Sequence, residues 1–170
     1  MSNLIINTTS GVVTSNNNTH LNIVTQTGAL GWGEGTEYTS QNVRDINRLT
    51  IHYTGSSIDG AFTTSLAGFN AWWNPTWHQP GYHFIIQENG TVWQTARVNR
   101  HANGAVSNNA QNIHIAIVGL FWDGVSPDRP TRNDGPFIAR ATPFSPQQRT
   151  ALQRLVQGFI NNSKLTLNYQ

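Results

Sequence analysis

The chain has 170 residues, enough for one domain with a substantial core, and no cysteine, which excludes disulfides, a thiolate nucleophile and a cysteine zinc knuckle. Lys164 is the only lysine beside nine arginines, and ten basic against eight acidic residues leave a net charge of +2, which favours approach to polyanions. The arginines are scattered and do not interleave with aromatics, so no nucleic-acid groove is expected. No apolar run is long enough to cross a membrane.

In chain order, residues 1–20 (MSNLIINTTSGVVTSNNNTH) read as a polar arm with one apolar patch, Leu4 to Ile6, expected to lie on the surface as an extended strand or to stay mobile. The start lacks the basic region and apolar stretch of a signal peptide. A brief apolar run in LNIVTQT leads into a glycine-rich loop around Trp32. The segment RLTIHYTG, residues 48–55, reads as a short strand that ends on His52, and strand ends are where open α/β sheets place chemistry. A helix is expected over residues 57–75, with Ala61, Leu66, Phe69 and Trp73 near one face and Pro75 closing it.

The stretch GYHFIIQENGTVWQTAR predicts a hairpin, Tyr82 to Gln87 and Thr91 to Thr95, turned at Asn89-Gly90. NIHIAIVGLF is a continuous β-branched run of the kind found in a central, covered strand. Four prolines between Asp123 and Pro143 mark a loop. Ser145-Pro146-Gln147-Gln148 then forms a capping box with proline at the first helical position. The helix it opens places Leu152, Leu155, Val156, Phe159 and Ile160 at spacings of three and four, and LTLNY is expected to begin a further strand. The whole reads as one α/β domain, a central mixed β-sheet with helices packed on it, over residues 21–170.

Several chemistries compete for the histidines. His52, His83, His101 and His114 are available as neutral imidazole ligands, but no two lie at a local ligand spacing. A hydrogen-bonded packing role is the plainer reading for any one of them. No serine sits in a strand-to-helix elbow, and eight carboxylates form no evident glycosidase pair. Trp72, Trp73 and Trp77 cluster before the hairpin, either as core or as a platform for a sugar ring.

The ordered segments TIHYTG, WHQPGYHFIIQENGTVWQTARVNRHANGA, NIHIAIVGLF and FSPQQRTALQRLV resemble the zinc-dependent N-acetylmuramoyl-L-alanine amidases, the type that includes phage lysozyme-amidases and peptidoglycan recognition proteins. The likeness runs over about residues 46–160. It implies hydrolysis of the amide between N-acetylmuramic acid and L-alanine in bacterial peptidoglycan; the alternative is a non-catalytic module that binds muropeptide. It makes His52 a zinc ligand and Tyr82 the catalytic phenol that assists water or the developing oxyanion. It also implies a substrate groove lined by His101, beside which Trp77, from the tryptophan cluster, and Tyr53 are expected to bind substrate. The family's two further ligands follow the strand after the last helix; here that strand is LTLNY, so both are expected beyond Gln170, with zinc weak or absent. His114 stands where the family usually has glycine, and is the resident candidate for an extra ligand. The resemblance implies action at the cell wall, outside the cell or with phage.

Overall fold

The computed structural model describes residues 4–16, 21–27, 39–54, 80–105, 107–119 and 145–167. The expected helix over 57–75, the loop around Trp32, Trp77 and the proline-rich loop over 123–143 lie outside the described residues.

Strands β1 (Leu4–Ile6) and β2 (Val13–Ser15) pair antiparallel as a separate two-stranded sheet. The turn between them closes because Asn7 Oδ1 accepts from the amides of Thr9 and Ser10, both at 3.0 Å, and Gly11 takes φ +69°. The polar arm expected over residues 1–20 is thus, from Leu4 to Ser15, a hairpin. Leu4, Ile6 and Val13 are buried in the same apolar cluster as the main sheet.

The main sheet has the order β3-β6-β5-β7-β4. Its strands are β3 (Ile23–Thr25), β4 (Arg48–Tyr53), β5 (Phe84–Ile86), β6 (Val92–Gln94) and β7 (Asn112–Ile117). Only β5 and β6 are antiparallel; β3 with β6, β5 with β7 and β4 with β7 run parallel. The sheet is therefore mixed. The β5–β6 connection is the expected hairpin, and Gly90 takes φ +82°. The Gly90 amide donates to the Gln87 carbonyl at 2.9 Å and the Gln87 amide to the Thr91 carbonyl at 2.8 Å. Asn89 keeps a negative φ, which is a turn followed by one left-handed residue rather than a two-residue turn.

All six residues of β7 are buried, as its continuous apolar run predicts. One described helix, α1 (Pro146–Ile160), packs on the sheet through Ala151, Leu155 and Phe159, and the Phe159 ring meets Phe84 at 5.4 Å between centres. The capping box forms as expected: Ser145 Oγ accepts from the Gln148 amide at 3.0 Å, and Gln148 Oε1 accepts from the Ser145 amide at 3.2 Å. The strand expected from LTLNY is not formed over residues 165–167. Thr166 donates one amide bond to Ile46 ahead of β4, and the Leu165 amide is turned back onto Asn162, so no ladder starts.

Candidate functional site

Sheet register gathers the histidines. His52 on β4 lies opposite Ala116 on β7, two residues beyond His114, so both imidazoles stand on one face. His83 lies one residue before β5 and donates its amide to the His114 carbonyl at 2.9 Å, which continues the β5–β7 ladder. Three adjacent chains thus carry His52, His114 and His83 side by side. Tyr82, one residue earlier, brings its ring to 5.2 Å from that of His52.

Hydrogen bonds fix the proton on His83. The His114 amide can only donate, and it reaches His83 Nδ1 at 3.0 Å, so that nitrogen is the acceptor. The proton therefore sits on Nε2, which donates to the Arg100 carbonyl at 2.9 Å. Burial lowers the His83 pKa to about 4; the Arg100 bond opposes the shift and the charge of His101 adds to it. The His83 ring lies nearly parallel to that of His114, 5.9 Å between centres with planes 9° apart. Gly104 sits against the His114 ring so closely that a Cβ there would fall 2.5 Å from Cγ and Nδ1.

His52 Nε2 and His114 Nδ1 are 2.9 Å apart, and the ring centres are 5.2 Å apart. The second distance exceeds the first by two imidazole radii of roughly 1.15 Å each, so the two nitrogens face each other head-on, as in a linear N–H···N bond. Burial lowers both pKa values, that of His114 to about 3 with His83 and His52 contributing, so both rings are neutral near pH 7. Burial raises the Tyr82 pKa, which keeps the phenol protonated.

The other expected site residues are more scattered. His101 is half-buried, lies after the hairpin with its amide on the Thr39 carbonyl at 2.9 Å, and has its pKa lowered by burial. Tyr53 follows His52 on β4, is half-exposed, and by strand alternation points to the opposite face. Trp77 lies outside the described residues. His83 and Gly104 lie within the segment that resembles the family, but nothing in its pattern sets them against His114. Only the register that aligns β5 with β7 shows that His83 supports His114.

A zinc ion held by two imidazoles requires both lone pairs to converge on one point about 2.0–2.1 Å from each nitrogen. The head-on pair does not do this, and among the described residues no group of three His, Cys, Asp or Glu is placed to hold a metal ion. The described residues therefore do not fit a three-ligand zinc site. An open concavity of about 450 Å³ lies between the hairpin turn and α1, lined by Asn22, Thr91, Gln147, Thr150 and Arg154 among others. It includes none of the imidazoles, so the chemically distinctive groups are those at the strand ends.

Residues 42–170 match the family model described as N-acetylmuramoyl-L-alanine amidase. The chain belongs to this amidase family. Among solved structures it is similar to the Ph2119 endolysin from the Thermus scotoductus MAT2119 bacteriophage, at 19% identity and a TM-score of 0.58 over 81% of this chain and 77% of that one. The amidase LysC from Clostridium intestinale URNW gives 21% identity and 0.58, over 85% and 78% of the two chains. The ectodomain complex of peptidoglycan recognition proteins LCa and LCx bound to tracheal cytotoxin gives 19% identity and 0.57, over 88% and 81%. At these identities the likeness is one of fold, and no curated protein matches the chain by sequence.

Proposed function

We propose that this chain acts on bacterial peptidoglycan and hydrolyses the amide between N-acetylmuramic acid and the L-alanine of the stem peptide. The observation that carries the reading is the meeting of His52 and Tyr82 at the sheet edge, 5.2 Å between ring centres, inside the stretch matched to the amidase family. Zinc is the cofactor the resemblance implies. Within this chain, the protonated Tyr82 phenol is suited to donate to the amide carbonyl oxygen as negative charge develops on it, a bond that strengthens in the transition state. His101 and Trp77 are proposed to line the substrate groove, whereas Tyr53, on the face of β4 opposite His52, is not, and the site of action is the cell wall, in association with phage or outside the cell.

Incubation of the 170-residue chain with purified walls, with and without added zinc, tests the reading. New N-terminal L-alanine amines, identified by mass spectrometry, are the expected product. Their absence under both conditions overturns hydrolysis. One observation favours a second reading, binding without cleavage: the His52 nitrogen that faces inward is occupied by His114. Sedimentation of the protein with walls in the absence of amine release supports that reading instead.

A further inference from the structure

The His52–His114 contact has two possible proton arrangements, and the surroundings of His114 choose between them. His114 Nε2 is buried and has no hydrogen-bond partner among the described residues. If the proton shared with His52 came from His52 Nε2, His114 Nδ1 would be the acceptor and the His114 proton would sit on Nε2, a buried N–H with nothing to receive it. Orphaned buried N–H groups are rare, and a bare acceptor nitrogen is the less costly of the two. The proton therefore belongs on His114 Nδ1.

We infer that His114 is a positioning residue: its Nδ1–H donates to His52 Nε2 and fixes His52 in the tautomer that carries its proton on Nδ1. The His114 ring is held for this by the near-parallel His83 ring, by the bond from its own amide to His83 Nδ1, and by Gly104, where any side chain would collide with Cγ and Nδ1. His52 is half-buried and, among the described residues, makes its one hydrogen bond to His114, so its Nδ1–H is the end of the pair turned away from His114. The site then presents a hydrogen-bond donor rather than a metal-binding lone pair. Such a donor recognises an acceptor oxygen, a carbonyl or carboxylate of a muropeptide. The identity of that ligand rests on the proposed function; the tautomer does not.

The test uses the full chain labelled with ¹⁵N-histidine, at pH 7.5 and without metal. Long-range ¹H–¹⁵N correlations assign the proton on each imidazole, and a nitrogen–nitrogen coupling across the hydrogen bond identifies the pair. Expected are protons on Nδ1 of both His114 and His52, and a coupling from His114 Nδ1 to His52 Nε2. A proton on His52 Nε2, or no coupling, overturns the inference. The wild-type spectrum decides this even if a variant fails to fold. Gly104→Ala, which displaces the His114 ring without altering either imidazole, is expected to abolish the coupling; its persistence there overturns the role given to Gly104. Titration with N-acetylmuramoyl-L-alanyl-D-isoglutamine is expected to shift the His52 Nδ1–H resonance. A zinc titration that instead moves His52 and His114 together shows them to be joint ligands and overturns the inference. If the tautomers are as inferred but the chain neither binds nor cuts walls, the functional reading falls and the tautomer stands.

Discussion

Both ring nitrogens of His83 are committed, one accepting from a backbone amide and one donating to a carbonyl, and the ring is fully buried. Protonation would place an N–H on Nδ1 against the His114 amide donor, while Nε2–H keeps the Arg100 carbonyl. Its folded pKa, about 4, lies below the ordinary value of 6.5. The folded state therefore stays neutral where the unfolded chain takes up a proton, so stability is complete above pH 6.5 and is lost as pH falls toward 4. His83 alone accounts for a loss on the order of 3 kcal/mol across that window. Urea titrations at pH 7.5 and pH 4.5 measure it, and an unchanged midpoint refutes it. For Tyr82→Phe, amine release from walls is expected to fall about 100-fold, with the far-UV circular dichroism unchanged. At this scale the sequence reading singled out His52, Tyr82 and the unusual His114 by position and motif, and the structure brings these three side chains together. That reading weighed His83 only as one of four available imidazole ligands and gave Gly104 no role, because their contribution is contact between segments distant in the chain.

Two elements meet at one hydroxyl. Ser145 Oγ caps α1 by accepting from the Gln148 amide and also donates to the Glu88 carbonyl in the β5–β6 turn at 2.6 Å. Ser145→Ala removes both, and about 1–2 kcal/mol of stability should go with them, read as a lower urea midpoint at constant slope. In the same turn, Gly90→Ala places a side chain at φ +82° with its Cβ 3.0 Å from the Gln147 carbonyl oxygen. This is expected to cost about 1–2 kcal/mol, and a variant as stable as wild type would show that the turn relaxes. Hairpin, capped helix and central strand were legible because each has a local signal: Asn89-Gly90, the capping box, the unbroken β-branched run. Strands β1, β2 and β3 have three residues each, too few for a period to emerge. Residues 165–167 have strand composition but no partner register among the described residues, and composition alone does not make a ladder.

For the whole molecule, residues 4–16 are structural. Leu4, Ile6 and Val13 enter the core, and the buried Gln94 accepts from the Val13 amide at 2.8 Å while donating to the Gly11 carbonyl at 2.9 Å. Deleting residues 1–16 exposes that core and leaves the Gln94 side chain only its bond to the Ala96 carbonyl, a loss of about 5 kcal/mol or more. Chemical denaturation of the truncated chain checks this, and a wild-type midpoint would return the segment to the role of an arm. The class of fold was readable from the order of elements; the strand order was not, because the β3–β6 and β4–β7 pairings are long-range and leave no local trace. That order has a kinetic side. β7 is flanked on both sides, so its amide hydrogens are expected to exchange through global opening, whereas β4, last in the sheet among the described strands, can detach at a smaller free energy. His52 rides on a terminal strand and His114 on a flanked one, so the pair is expected to break and re-form within the lifetime of one folded molecule. A ligand that bridges the two strands will slow deuterium uptake from Arg48 to Tyr53 and leave uptake in β7 as it was.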